Sequence, residues 1–130
     1  MKINFEKLGG IVPVVTQDYK SNKILMVGFV NEDAFMTTLK TQKATYFSRS
    51  KNRLWTKGEE SGNYQEIVDI LIDCDNDTLI YKVKQLGHKA SCHKGYESCF
   101  YRHYLNGEWV YNDEKQLFDP NSVYSKNVPI

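Results

Sequence analysis

The sequence lacks a long apolar segment and has only three cysteines. Its start, MKINFEKLGG, does not contain the apolar core of a signal peptide. No apolar run approaches the ~20 residues that cross a bilayer, so we expect a cytoplasmic protein without membrane contact. Thiols stay reduced in that compartment. An odd number of cysteines also argues against a disulfide framework, which leaves metal binding or catalysis as roles for the thiols.

An excess of one charge is lacking as well. The chain has 17 basic and 16 acidic residues and a net charge of +1, so nothing global indicates a nucleic-acid partner. No internal repeat, low-complexity tract or linker divides its 130 residues, a length typical of one domain. We expect a single domain over 1–130, with a loosely packed tail over the polar stretch 112–130.

Most of the pattern along the chain is typical of β-strands. Nine Tyr, six Phe and two Trp favour a β-rich fold. Asn106-Gly107 predicts a type I′ hairpin turn, and Pro13 suits an edge or an early strand position. Apolar runs and alternation predict strands within 11–18, 23–30, 45–50, 53–58, 64–74 and 78–86. The predicted fold class is α+β, a predominantly antiparallel β-sheet with one or two short helices.

One stretch, 32–41, has the features of the main helix. Asn31 is its expected N-cap, because an asparagine side chain accepts from the free N–H groups of the first turn. Two acidic residues follow it, where the helix dipole favours negative charge. We expect Phe35, Met36 and Leu39 to share one face of this helix.

The stretch DCDND places a cysteine among three aspartates. In an extended conformation Asp73, Asp75 and Asp77 share one face, while Cys74 points to the other. Carboxylates suit Mg²⁺ or Ca²⁺ and thiolates suit Zn²⁺, so this alternation suggests two metal sites back to back. An EF-hand loop is excluded because Thr78 stands where that loop needs glycine. The alternative is an acidic turn before a strand.

The three cysteines lie in one part of the sequence, at Cys74, Cys92 and Cys99. They contain no C-x-x-C pair, which excludes an ordinary zinc finger or ribbon. Three thiolates without an obvious fourth ligand leave room for water, the pattern of a catalytic zinc, although free cysteines are also common as small buried apolar residues. His93 follows Cys92 directly and suits a general base, with a surface histidine as the alternative.

Residues 34–58 contain no acidic side chain and are rich in lysine and arginine. SRSKNRLWTKG interleaves hydroxyls, guanidinium groups and a tryptophan, which suits a phosphorylated ligand with a flat base. The following turn, KGEESGN, has backbone amides that suit an anion. A solvated basic strand edge is the alternative. The candidate substrate-binding residues are Arg49, Arg53, Trp55, Lys57 and Ser61.

Four blocks together resemble one enzyme family, phosphoribosyl-AMP cyclohydrolase of histidine biosynthesis. They are VTQDYKSNKILMVGFVNEDAF, TYFSRSKNRLWTKGEESGN, DCDNDTL and SCHKGYESCFYR, in this order, and they span roughly residues 11–103. The family hydrolyses the N1–C6 bond of the purine in phosphoribosyl-AMP and so opens the six-membered ring. The resemblance implies an intertwined homodimer that needs Zn²⁺ and Mg²⁺ and acts on a small molecule.

The resemblance also implies a role for each metal candidate. The family's Mg²⁺ ligands match Asp73, Asp75 and Asp77, and its zinc ligands match Cys74, Cys92 and Cys99, the last two from the partner subunit. We expect zinc-bound hydroxide to attack C6, with His93 as the base. Relatives that carry a fused pyrophosphatase domain are longer, so we expect a monofunctional enzyme.

Two positions depart from the family's usual motifs. Lys94 replaces the threonine of CHTG, and Glu60 replaces the threonine of KGxTSG. Each change removes a hydroxyl, which we expect to alter phosphate contacts. The metal ligands and His93 are retained.

Other functions explain the residues less well. A zinc nucleobase deaminase needs H-x-E followed by P-C-x-x-C, and neither motif is present. A zinc-stabilised nucleic-acid- or nucleotide-binding module without catalysis is the main alternative, but the charge is nearly balanced and no recognised binding motif occurs. A purely structural dimer leaves the acidic cluster unexplained.

Overall fold

The computed structural model describes residues 2–112 and 115–123. Over these residues the chain forms eight strands and two helices, which confirms the α+β class and each predicted strand. In chain order they are β1 (Val12–Asp18), β2 (Ile24–Val30), α1 (Glu32–Thr41), β3 (Thr45–Ser48), β4 (Arg53–Thr56), β5 (Gln65–Ile72), β6 (Leu79–Gln85), β7 (Arg102–Leu105), β8 (Glu108–Tyr111) and α2 (Pro120–Val123).

The main sheet has four strands in the order β2-β1-β6-β5. β1 and β6 run parallel, whereas β1–β2 and β5–β6 are antiparallel. The sheet is therefore mixed, although most strand pairs of the described fold are antiparallel. Pro13 occupies the second position of β1, and pairing with β6 begins one residue later, at Val14. Its missing N–H thus removes no hydrogen bond to β6.

The core lies against one face of this sheet. Leu79, Tyr81 and Val83 alternate with more exposed residues along β6, as the sequence predicts. Val12 and Val14 on β1 are also fully buried. The same core includes residues of β2, α1 and β3 and the residue before β3, namely Leu25, Met26, Val30, Ala34, Phe35, Ala44 and Tyr46. Burial of these apolar side chains supplies the main driving force for the fold.

The helix α1 begins where the sequence predicts. The side chain of Asn31 accepts a hydrogen bond of 2.8 Å from the Ala34 N–H, which confirms the N-cap. Gln42 closes the helix in the left-handed conformation, and its N–H donates to the Thr38 carbonyl at 2.8 Å. The predicted bounds of 32–41 are therefore correct.

Of the three apolar residues expected to share one face of α1, only Phe35 is buried. Met36 and Leu39 are 48% and 37% exposed, and the buried positions are Ala34, Phe35 and Thr38. The Thr38 hydroxyl accepts a 2.9 Å hydrogen bond from the Thr45 N–H. This contact turns a polar residue toward β3 and leaves two apolar residues on the outer surface of the single chain.

Two hairpins extend from the main sheet. The β3–β4 hairpin joins β5 through hydrogen bonds from the Ala44 N–H to the Gln65 carbonyl and from the Ile67 N–H to the Gln42 carbonyl, at 2.9 and 2.8 Å. The β7–β8 hairpin turns at Asn106-Gly107, where φ is +50° and +86°. Two positive φ values are typical of the predicted type I′ turn. None of the helices in the described ranges is long and apolar enough to cross a bilayer.

The predicted loose tail, 112–130, lies partly outside the described residues. Within the described part, the Leu117 N–H donates to the Gly95 carbonyl at 2.6 Å, and the Gln116 side chain donates to the Lys94 carbonyl at 2.8 Å. Phe118 is buried, with its ring 5.0 Å from that of His88. These contacts attach the segment to the loop that follows β6.

Candidate active site and metal-binding residues

A cavity of about 330 Å³ lies beside β4 and the turn that follows it. Its volume is in the range of small-molecule sites. The cavity wall includes five predicted site residues, Arg53, Trp55, Lys57, Ser61 and His93. Residues far apart in sequence therefore meet at one site.

Arg49 lies in a neighbouring hollow that shares Ser48, Ser50 and Trp55 with this cavity. Its guanidinium carbon is 4.2 Å from the centroid of the Phe29 ring, a cation–π contact. Arg49 is thus adjacent to the cavity and not part of its wall.

The glycine-rich turn 57–62 has one position that requires glycine. Gly58 has a φ of +96°, and a Cβ added there would meet the backbone of Asn63 and Tyr64. The Gly62 N–H donates to the Gly58 carbonyl at 2.7 Å and closes the turn. This geometry places Ser61 on the cavity wall.

The loop between β6 and β7 presents His93. The Cys92 N–H donates to the Tyr96 carbonyl at 3.1 Å, and the Gly95 N–H donates to the Cys92 carbonyl at 2.9 Å. Gly95 has a φ of +94°, and a Cβ there would meet the Phe118 carbonyl. His93 is exposed at this tight loop and faces the cavity.

The two residues that depart from the family motifs lie close to this site. Glu60 lines the cavity wall. Lys94 is exposed beside His93, and its backbone N–H donates to the Cys92 sulfur at 3.4 Å. Both departures therefore change the polar surroundings of the cavity or its adjoining loop.

Cys92 and Cys99 interact through their thiols. A hydrogen bond from Cys99, together with the Lys94 N–H and the nearby His93, lowers the pKa of Cys92 to about 6, although burial opposes the shift. The same hydrogen bond and burial raise the pKa of Cys99. The lowered pKa favours the thiolate form of Cys92, which is the form that binds metals.

Lys57 is directed at the cysteine loop. Its ammonium group donates a hydrogen bond to the carbonyl of Ser91, the residue before Cys92. Burial lowers the pKa of Lys57, while the nearby Cys99 and Cys92 act in the opposite direction. The ammonium also lies 5.8 Å from the centroid of the Trp55 ring.

A buried polar network supports this loop, and the sequence analysis missed it. The Tyr46 hydroxyl accepts a 2.7 Å hydrogen bond from the Thr16 hydroxyl and donates to the Gln65 amide oxygen at 2.7 Å. The Gln65 amide nitrogen donates to the Ser91 hydroxyl at 3.2 Å, and that hydroxyl donates to Gln85. All five residues are buried. The available signal was a polar residue at inward-facing strand positions such as Gln65 and Gln85.

DCDND is not extended: these residues form the turn between β5 and β6, which is the alternative that the sequence left open. The Asp73 carboxylate accepts from the N–H groups of Asp77 and Thr78 at 3.1 and 3.3 Å. Asn76 has a φ of +60°, which reverses the chain. A two-residue alternation therefore does not separate the carboxylates from Cys74. Hydrogen bonds to the strand-end amides stabilise a turn here instead of a strand.

A cation already lies against this acidic turn. The Lys7 ammonium is 2.7 Å from Asp77 Oδ2 and 4.0 Å from Asp75 Oδ2. Two carboxylates that converge on one positive charge fit the oxygen ligands that Mg²⁺ requires. The paired thiols of Cys92 and Cys99 fit Zn²⁺ in the same way.

Cys74 is far from the other two cysteines in the single chain. It precedes β6, whereas Ser91 contacts Gln85 at the opposite end of that strand. β6 has seven residues, and a strand rises ~3.3 Å per residue, so these ends are roughly 20 Å apart. Across the described ranges, no three His, Cys, Asp or Glu side chains of one chain converge as a metal-binding group.

Comparison with known proteins places the chain in one family. Residues 26–101 match the family profile described as phosphoribosyl-AMP cyclohydrolase. The chain is 52% identical over 126 residues to the phosphoribosyl-AMP cyclohydrolase of Geotalea uraniireducens, with 97% of this chain and 99% of that protein aligned. It is 50% identical over 124 residues to the protein of that name from Geobacter sulfurreducens, with 95% and 98% aligned. The chain therefore belongs to the phosphoribosyl-AMP cyclohydrolase family.

Proposed function

We propose that this chain hydrolyses the N1–C6 bond of 1-(5-phosphoribosyl)-AMP in histidine biosynthesis. The product is the ring-opened phosphoribosylformimino carboxamide nucleotide. One observation carries the proposal: the cavity brings His93, Trp55 and Arg53 together beside the Cys92–Cys99 pair. A nucleotide needs a stacking surface, cations for phosphate and a group that moves protons, and the cavity offers all three.

The substrate's own electronic structure defines the reacting atom. Ribosylation at N1 removes the aromatic stabilisation of the adenine and makes C6 electrophilic. Water adds at C6, the C6–N1 bond breaks, and N1 gains a proton. His93 takes the proton from the attacking water and returns it to N1, a role that suits an exposed imidazole at the cavity wall.

The other cavity residues hold the substrate. Trp55 stacks on the base, while Arg53 and Ser61 contact a phosphate. The substrate carries two phosphates. Arg49 lies in the adjoining hollow and contacts the phosphate that Arg53 and Ser61 do not bind. The ammonium group of Lys57, also predicted from the sequence to bind phosphate, is directed at the carbonyl of Ser91.

Two metal sites complete the proposal. Zinc, when bound, supplies a water molecule of lowered pKa. Mg²⁺ supplies positive charge that binds a substrate phosphate or orders the acidic turn between β5 and β6. Cys92 and Cys99 hold the zinc with Cys74 of the partner subunit, while Asp73, Asp75 and Asp77 hold Mg²⁺. The separation of roughly 20 Å along β6 supports a thiolate set from two chains.

A homodimer also accounts for exposed apolar surface. The β7–β8 hairpin exposes Tyr104 and Trp109 by 63% and 68%, together with Leu105 and Tyr111. Contiguous exposed apolar groups are typical of protein interfaces. We propose that a second copy of the chain covers them. Free cysteines must stay reduced to bind zinc, which supports a cytoplasmic location.

One preparation tests the reaction and the zinc together. The metal content of the purified dimer is measured, and ring opening is followed by absorbance after phosphoribosyl-AMP is added with Mg²⁺. We expect turnover that stops with a zinc chelator and returns with added zinc. A folded, zinc-loaded dimer without turnover contradicts the proposed function and favours a binding module without catalysis.

His93 is tested by substitution with a matched control. His93→Ala in a zinc-loaded dimer is expected to lower kcat by ~10²–10⁴, the usual contribution of a general base. His103→Ala removes an exposed histidine on β7 that lies outside the cavity wall, and its kcat should stay close to that of the parent. Near-normal kcat in His93→Ala removes the imidazole from the mechanism.

A further inference from the structure

We propose that Lys57 is a positioning residue for the zinc-binding loop and not a phosphate ligand. This proposal rests on the proposed function, because it concerns the thiolate site of the same enzyme. It differs from the role predicted from the sequence, where Lys57 was grouped with Arg49 and Arg53.

The ammonium of Lys57 links two segments that are far apart in sequence. It lies just beyond β4 and donates to the carbonyl of Ser91, 34 positions further along the chain. Ser91 is 1% exposed and directly precedes Cys92. Within residues 86–101 the structure contains no helix or strand. This hydrogen bond therefore fixes the backbone at a point where regular secondary structure does not.

The remaining polar groups of Ser91 are held as well. Its hydroxyl accepts from Gln65 and donates to Gln85, and its N–H donates to the Glu97 carbonyl at 2.9 Å. Lys57 completes the set by binding the carbonyl. Every hydrogen-bonding group of this residue is thus occupied, so the direction in which Cys92 leaves Ser91 is fixed by buried contacts.

The other cations of the cavity are placed differently. Lys51 and Arg53 are exposed, and Arg53 pairs with Glu59 at 3.6 Å. Side chains of that kind can reorient toward an incoming phosphate.

Lys57 is less exposed, and its ammonium group already donates a hydrogen bond to the carbonyl of Ser91. Its charge also lies close to the thiols of Cys92 and Cys99, where it offsets the net negative charge of a metal held by three thiolates.

Zinc affinity separates the two roles of Lys57 without relying on turnover. The zinc dissociation constant of the intact dimer is measured by competition with a chromophoric chelator. Lys57→Met removes the hydrogen bond and the charge, and we expect the constant to rise ~10–100-fold, the usual effect of losing a group that orients metal ligands. KM for phosphoribosyl-AMP at saturating zinc should change less than ~3-fold, while kcat falls.

Two further variants make the test specific. Lys51→Met removes a positive charge from the same cavity wall, and its zinc dissociation constant should match that of the parent. Lys57→Arg keeps the charge and a donor for the Ser91 carbonyl, so it should recover most of the zinc affinity. It also provides the measurement if Lys57→Met does not fold.

The opposite pattern overturns the proposal. A Lys57 variant with parental zinc affinity and a KM raised tenfold or more would show that Lys57 binds a substrate phosphate. This outcome leaves the cyclohydrolase reaction intact. Conversely, a parent dimer that binds zinc but opens no ring contradicts the proposed function, while the zinc titrations still decide the role of Lys57.

Discussion

Lys7 Nζ lies 2.7 Å from Asp77 Oδ2, so the turn between β5 and β6 holds a cation supplied by its own N-terminal segment. The Asn4 N–H, which donates to the Asn76 carbonyl at 2.6 Å, fixes this segment against the turn. The hydrogen bond with Lys7 lowers the pKa of Asp77, and the bond with Asp77 raises the pKa of Lys7. Lys7 therefore competes with any metal ion for the same carboxylate.

Removal of this tethered cation should strengthen Mg²⁺ binding. Lys7→Met leaves Asp77 and Asp75 free of their ion pair, and we expect the Mg²⁺ dissociation constant to fall roughly 1.5–5-fold, the range that an exposed ion pair contributes. Calorimetric titration of the dimer measures the constant. Lys2→Met removes an exposed lysine of the same segment and serves as the control. An unchanged constant in Lys7→Met would show that the metal and Lys7 use different oxygens.

The Tyr46 hydroxyl should contribute measurably to stability. Tyr46→Phe leaves the buried amide oxygen of Gln65 without its 2.7 Å donor, and we expect a loss of about 1–3 kcal/mol in the free energy of unfolding. Urea denaturation measures the loss. Tyr19→Phe removes a hydroxyl from a side chain that is 43% exposed in the turn between β1 and β2, and it should change stability by less than about 0.5 kcal/mol. Equal effects of the two substitutions would contradict a stabilising role for the buried network.

Phe118 should stabilise the loop that carries His93. Phe118→Ala removes a buried ring that packs on His88, and we expect the free energy of unfolding to fall by about 3 kcal/mol. Leu117→Ala is the matched control, because that side chain is 46% exposed and little apolar contact is lost. Thermal and urea unfolding of both variants provide the comparison. A Phe118→Ala variant as stable as Leu117→Ala would mean that the segment contributes little to the fold.

The Asp18 carboxylate should make the β1–β2 connection sensitive to acid. Burial raises its pKa, but hydrogen bonds from the Ser21 and Lys20 N–H groups outweigh it, so the pKa is lowered overall. A lowered pKa in the folded chain stabilises it above the ordinary aspartate value of about 3.9, and this contribution disappears as pH falls through the lower folded value.

Asp18→Asn tests this pH dependence, because asparagine keeps the acceptor and removes the charge. At pH 7 we expect a loss of less than about 1 kcal/mol, since the group is only partly buried. The difference from the parent should vanish in strong acid, as measured by urea unfolding across pH. A difference that stays constant down to pH 2 would assign the effect to geometry instead of charge.

Local features of this chain could be predicted because their causes are local. The Asn31 cap, the Asn106-Gly107 turn and the alternation along β6 depend on residues within a few positions of one another. The grouping of Arg53, Trp55 and Lys57 near one cavity follows in part from a single short strand. Their proximity to His93 did not follow from spacing, because only the packing of the folded chain brings the two segments to one cavity.

Each difference from the predictions depends on a contact that strand alternation and helical spacing do not reveal. The buried face of α1 depends on the hydrogen bond between Thr38 and Thr45, and the turn at Asp73 depends on where β5 and β6 pair. The direction of Lys57 depends on Ser91, a residue that no local pattern connects with it. The chemistry of each side chain, such as a thiol, a carboxylate or an ammonium group, is thus already present in the order of residues. Which of these groups lie together depends on how the strands cross and pack, because only folding brings residues that are far apart in the sequence close together in space.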